Sequence, residues 1–224
     1  MPAEAASPAG ELPQRLAELQ RQLPASVQLL AVSKGQPAAA IRAAVALGLR
    51  HFAESRLQEA LPKQEALADL EPLDWHFIGR LQANKVRGVL RHFGTIHSID
   101  SLALAQRVQR ISAEEGLSPR LLFQVKLRPD PGKTGFEANE LRSHWSELSQ
   151  LAPALSVGLT TIAPQGLEPA ERLGLFRQCA ALARELGLKE LSMGMSGDWP
   201  EAVAAGSTWI RLGRALFGER SAFR

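Results

Sequence analysis

Leu29-Leu30-Ala31-Val32-Ser33-Lys34 is a short apolar run closed by a lysine, and it reads as the core of a buried strand at Val27–Lys34. Seven further short, β-branched apolar runs follow, at Arg50–Glu54, Leu73–Gly79, Thr95–Asp100, Leu121–Leu127, Leu155–Ile162, Glu190–Met195 and Trp209–Leu212. Between them the apolar spacing turns helical, as in Ala38–Leu47, Leu102–Glu115, Leu141–Leu151 and Ala170–Leu186, and an amphipathic segment at about Glu11 to Leu23 precedes the first strand. Ser101 and Asp198 stand where helix N-caps belong, and Gly48, Gly116, Gly187 and Gly206 stand where helices should stop.

Eight strands separated by helices, with no tight hairpin between any two, predict a parallel α/β sheet. Eight β/α units close into a single TIM-like (β/α)8 barrel, which typically takes about 250 residues, so a chain of 224 needs short loops. A doubly wound open sheet is the alternative, because counting strands does not distinguish closure from an open edge. No Pro/Gly/Ser-rich linker and no internal repeat divides the chain, so one domain is expected over residues 11–224, with an Ala/Pro-rich flexible tail at 1–10.

The bulk numbers narrow the function. Net charge is +3 and charged residues make up 22%, with acidic and basic ones interleaved, which is not a nucleic-acid footprint. The one cysteine, Cys179, lies in a helical stretch, reads as packing, and excludes an internal disulfide. The start lacks a basic segment followed by an apolar core, and no apolar run approaches the roughly 18 residues that cross a bilayer. A soluble, cytoplasmic, monomeric protein is expected.

The chemistry gathers where strands end. Lys34 closes the first strand, Ser192-Met193-Gly194-Met195-Ser196-Gly197-Asp198 the seventh, and Arg211-Leu212-Gly213 the eighth. In a closed barrel these three strands are neighbours, and the recurrent phosphate site of such barrels lies after strands seven and eight. A poorly solvated lysine keeps more free amine, which attacks aldehydes to form a Schiff base. Small-residue turns present backbone N–H groups to a phosphate. Amine and phosphate cradle together describe a site for pyridoxal 5'-phosphate (PLP). Each part also has a plainer reading. Lys34 can snorkel to solvent, and Ser196-Gly197-Asp198-Trp199-Pro200 can be an ordinary strand-to-helix turn with an N-cap. Arg211 alternates with Ile210 and Leu212, so it points into the barrel, where a charge needs a partner and a ligand is the economical one.

The same stretches carry a resemblance. Ala31-Val32-Ser33-Lys34, Trp75 through Lys85, His97-Ser98-Ile99-Asp100 and Gly132-Lys133-Thr134-Gly135 recur in order with Gly158 through Pro164, Leu191 through Ser196 and Ile210 through Gly218. From about Val27 to Arg220 the chain resembles the pyridoxal phosphate homeostasis proteins (the YggS/PROSC family), which are similar to the N-terminal barrel domain of alanine racemase. The resemblance implies a cofactor-binding set of Lys34, Ser55, His76, Met193, Ser196, Gly197, Arg211, Gly213 and Arg214. Lys34 would hold PLP as a Schiff base, Ser196 and the backbone around Gly213 would hold the phosphate, and Arg211 would face the pyridine nitrogen. The chain departs from the family at two places. Phe52-Ala53-Glu54-Ser55 replaces an expected Phe-Gly-Glu-Asn, and Arg214 stands where a hydroxyl residue often follows the glycine. His76 is placed at the barrel mouth beside the cofactor, with a backbone-bonded core histidine as the plainer reading. Gln82, Asn84 and Lys85 read as capping and solvation.

An arginine at the ring nitrogen cannot accept its proton, so it opposes a strong electron sink. The racemases that the chain resembles take a second base from a tyrosine on a separate domain, and this sequence has no tyrosine. The expected function is therefore PLP binding in vitamin B6 homeostasis without robust catalysis, serving PLP-requiring apoenzymes or a regulatory protein. A weak PLP-dependent racemase is the alternative, and an interaction protein whose PLP reports occupancy to a partner is a third reading.

Overall fold

The computed structural model describes residues 8–130 and 132–218. Its strands are β1 (Gln28–Val32), β2 (His51–Glu54), β3 (Asp74–Phe77), β4 (Thr95–Ile99), β5 (Arg120–Lys126), β6 (Phe136–Glu137), β7 (Leu155–Thr160), β8 (Glu190–Ser192) and β9 (Trp209–Leu212). Its helices are α1 (Pro8–Gln22), α2 (Ala38–Ala46), α3 (Leu57–Ala66), α4 (Val86–Leu90), α5 (Leu102–Glu115), α6 (Ala138–Ser143), α7 (Trp145–Leu148), α8 (Pro169–Glu185), α9 (Trp199–Ala204) and α10 (Arg214–Phe217).

All strands except β6 join one parallel barrel in the order β1-β2-β3-β4-β5-β7-β8-β9, and β9 pairs back onto β1 with Ala31 beside Leu212. That pairing removes the open-sheet alternative. The eight expected strands are present, so the seventh and eighth are β8 and β9. The short β6 pairs only with the end of β5, at Val125–Phe136.

Alternation along each strand sorts residues to two faces. Ala31, Phe52, Ile96, Leu121, Phe123, Leu159, Ile210 and Leu212 face outward and are buried under the helices. Helix α1 closes one side by burying Leu12, Leu16 and Leu19 against Ile41 and Leu216. Leu30, Val32 and Ala53 face inward with Ile78 and Trp209. Much of the remaining interior is polar and includes Thr95, His76, His97, Thr160, Ser192 and Arg211.

Local capping follows the sequence in most places. Ser101 Oγ accepts from the Leu104 N–H, and Gly48, Gly116, Gly187 and Gly206 all take positive φ at helix ends. Three expectations shift. The single helix expected at Leu141–Leu151 is broken into α6 and α7, where the Ser143 hydroxyl bonds back to the Glu140 carbonyl and the chain leaves helical geometry at His144. The seventh strand stops at Ser192, because Gly194 (φ +89°) turns the chain back against α9. A Cβ on Gly194 would lie 2.7 Å from the Ala202 Cβ and 2.9 Å from the Trp199 Cα, so only glycine lets α9 sit this close. Of the tail expected at 1–10, residues 1–7 lie outside the described residues, and Pro8-Ala9-Gly10 open α1.

Candidate functional site

The C-terminal ends of β1, β8 and β9 open into a cavity of about 480 Å³, a usual size for a small-molecule site. Lys34, Ser196, Gly197, Arg211, Gly213 and Arg214 all line it, together with Met195 and Asp198. Two other clefts lie beyond the C-terminal ends of β5 and of β3 and β4, beside Lys126–Asp130 and beside Arg80–Ala83. The cavity at Lys34 alone among these three combines a lysine, two small-residue turns and a buried guanidinium.

Lys34 stands two residues past β1 on a polar support buried between β1, β2 and α3. The Lys63 ammonium donates to the Ser33 carbonyl (2.9 Å), to Glu54 Oε1 (2.7 Å) and to Glu59 Oε1 (2.7 Å). Ser33 Oγ donates to the same Glu54 oxygen (2.7 Å), and the Gly35 N–H donates to Glu59. The residues on both sides of Lys34 are thus tied to one ammonium. Burial pushes the Glu54 carboxyl up, against the pull of Lys63.

Turns from two strands form the opposite wall. Asp198 is at the N-cap position, as expected, but its carboxylate accepts from the Met195 N–H (2.6 Å) and so closes the Met195–Asp198 turn instead of capping α9. Burial pushes this carboxyl up. Ser196 Oγ accepts from the Ala215 N–H (3.2 Å), fastening that turn to the start of α10. A Cβ on Gly197 would meet no atom within 4 Å, so this edge of the cavity is open. The Gly213 Cα faces the Val32 carbonyl, 3.4 Å from a built Cβ.

Arg211 points inward as the alternation predicts, yet its partners are the protein's own. Nη1 donates to the Ser192 carbonyl and to Ser192 Oγ (2.8 Å), and Nη2 donates to the Thr161 carbonyl (3.1 Å). Burial lowers its pKa to about 10, which leaves it cationic at neutral pH. A polar chain continues from it through the barrel. Ser192 Oγ lies 2.9 Å from His97 Nδ1, and His97 Nε2 lies 2.8 Å from His76 Nδ1. His76 Nε2 in turn lies 2.9 Å from Asp74 Oδ2. Burial holds His97 well below the ordinary histidine range.

Three expected cofactor residues fall elsewhere. His76 is buried below the cavity and bonded to Asp74 and His97, neither at the mouth nor bonded to backbone. Met193 alternates outward from Ser192 and packs among the helices. Ser55 does not line the cavity, and its backbone is pressed against Gly79, where a built Cβ would lie 2.1 Å from the Ser55 carbonyl oxygen. Glu54, Thr161 and Ser192 lie in stretches that the sequence marks, but nothing there assigns them a role, and Lys63 lies in none of those stretches. Ser192 was within reach of the strand rule, since it is two residues below Gly194 on the inward face.

A family model for the N-terminal domain of alanine racemase matches residues 9–221. A pyridoxal phosphate homeostasis protein of Synechocystis sp. is 49% identical over 214 residues, covering 93% of this chain and 98% of that protein. PipY of Synechococcus elongatus, solved without PLP, is 55% identical with a TM-score of 0.90, covering 92% of this chain and all of that one. The same protein solved with PLP bound is 54% identical with a TM-score of 0.89, at the same coverage. With the family model spanning most of the chain and relatives about half identical over nearly its whole length, the chain belongs to the pyridoxal phosphate homeostasis family of alanine racemase N-terminal-type barrels.

Proposed function

We propose that the chain binds PLP in the strand-end cavity, linked through Lys34 Nζ, and serves to hold and release this cofactor in vitamin B6 homeostasis. The observation that carries the reading is the meeting of Lys34, Ser196, Gly197, Arg211, Gly213 and Arg214 in one cavity of about 480 Å³. The donor set suits a phosphate on one wall and an aldehyde on the other. Ser196, Gly197, Gly213 and Arg214 line the phosphate side, and the Arg214 cation offsets a missing hydroxyl there. When bound, PLP supplies an electrophilic carbon and an electron-accepting ring.

The chain's own residues limit what that ring can do. Arg211 has only donors and stays cationic at neutral pH, so it takes no proton from a ring nitrogen and opposes protonation there. Ser192 and Thr161 fix its fork in place. The sequence holds no tyrosine to act as an opposed base. The protein is read as a cytoplasmic monomer that hands PLP to apoenzymes or reports its supply to a regulatory protein, and among the described residues no helix is long and apolar enough to cross a membrane.

The test is α-proton exchange of L- and D-alanine in heavy water by the PLP-loaded protein, beside a transaminase control. Exchange far below 1 s⁻¹ is expected. Exchange at about 1 s⁻¹ or faster, the ordinary enzyme range, would make the chain a catalyst.

A further inference from the structure

The polar chain below Arg211 ends at the opposite, N-terminal face of the barrel, in a cluster with the character of a metal site. His51 and Asp74 are the first residues of β2 and β3 and pair directly in register. Asp74 and His76 are two apart on one strand, so both face the barrel interior. His51 Nδ1 and His76 Nε2 each lie 2.9 Å from the same carboxylate oxygen, Asp74 Oδ2. All three donor atoms lie within 4.8 Å of one another.

We propose that His51, Asp74 and His76 form a second binding site, for a divalent late first-row transition metal of the zinc, cobalt or nickel type. Two imidazoles and one carboxylate suit these borderline ions better than magnesium or calcium, which take oxygen ligands. Zinc bonds of 2.0–2.2 Å place tetrahedral donors roughly 3.4 Å apart, so two edges of the cluster need to open by about half an ångström. Three protein ligands leave a fourth position for water or a small anion.

The surroundings are built accordingly. His76 is buried, and its other ring nitrogen is bonded to His97 (2.8 Å), the outer-shell support that fixes a ligating imidazole's orientation. The Trp209 indole walls the cluster with its ring centroid 5.0 Å from both His51 and His76, and its Nε1 donates to Glu190 (3.2 Å). The His51 and Asp74 side chains remain 34% and 43% exposed, which gives an ion a way in from solvent. Nothing in this proposal depends on the cofactor reading at the other end of the barrel.

The experiment is titration of the full chain, with and without PLP, with Zn²⁺ by calorimetry and with Co²⁺ by visible absorption and tryptophan fluorescence. One ion per chain is expected in both forms, with Co²⁺ quenching Trp209. His51→Ala and Asp74→Asn should each weaken Zn²⁺ binding at least tenfold, while the double variant His92→Ala/His144→Ala binds as the parent does. Trp209→Phe should lose the quench yet keep the calorimetric signal. The proposal is overturned by unchanged affinity in His51→Ala and Asp74→Asn, by loss of binding in the His92/His144 variant, or by equal affinity for Mg²⁺. The absence of any binding to the parent chain would overturn it as well.

Discussion

Replacing Lys63 with methionine removes one ammonium and strands two carboxylates beneath the Lys34 loop. The Lys63 side chain is 10% exposed, that of Glu54 0% and that of Glu59 30%, so the Glu54 pair is the buried one and the Glu59 pair is partly screened. Removing one partner of a buried ion pair costs about 3–5 kcal/mol, and the screened half argues for about 3 kcal/mol here. That is a large part of the 5–15 kcal/mol by which domains are stable, but not all of it. The uncompensated Glu54 carboxyl, already pushed up by burial, must rise further once Lys63 is gone. A folded-state value above the unfolded one means that the folded chain binds the extra proton, so stability falls as pH rises through the interval between the two. The deficit of Lys63→Met should therefore be smaller at pH 5 than at pH 8. Urea unfolding at the two pH values, with unchanged m, measures it. The double variant Lys63→Met/Glu54→Gln keeps a partner for Ser33 Oγ without the buried charge and should recover about 1–2 kcal/mol. Because Lys63 holds the Ser33 carbonyl and, through Glu59, the Gly35 N–H, PLP loading should fall in the single variant as well. A cost below about 1 kcal/mol, or a deficit independent of pH, would refute the reasoning.

Two further outcomes test the cavity walls. Gly194→Ala should cost about 2–4 kcal/mol and lower PLP loading, since its Cβ would meet Ala202 and Trp199 at a φ of +89°; a melting temperature within a degree of the parent contradicts the close approach. Pyridoxal lacking its phosphate should bind at least a hundredfold more weakly than PLP in equilibrium dialysis, because several charge-assisted hydrogen bonds of about 1.5–3 kcal/mol each are lost, and equal affinities would refute the cradle.

The outer face of the barrel was legible because its strands read as apolar, β-branched runs, and Gly48 and Gly116 end their helices where a left-handed residue is needed. Closure was not legible, since a β1–β9 ladder leaves no local mark at Ala31 or Leu212. Lys34, Ser196, Gly213 and Arg211 could be grouped from strand order alone. The residues that bind them together could not, because Lys63, Ser192, Thr161 and His97 belong to four separate elements or loops whose contacts exist only after the barrel shuts. The inward direction of Arg211 followed from alternation, but its partners were sought in a ligand and are found in Ser192 and Thr161. The same alternation, applied one residue further, separates inward Ser192 from outward Met193. His76 matches the plainer reading of a buried core histidine but bonds to side chains instead of backbone, because its strand begins at Asp74 and its side chain enters the barrel nearer the N-terminal face than the mouth.

The central claim is that Lys34 is the residue that carries PLP. Its most direct test is borohydride reduction of the PLP-loaded protein followed by peptide mapping. The account predicts one phosphopyridoxyl adduct, on Lys34, and its loss with an unchanged fold in Lys34→Ala. An adduct mainly on Lys85 or Lys133, or full loading of Lys34→Ala, would contradict it.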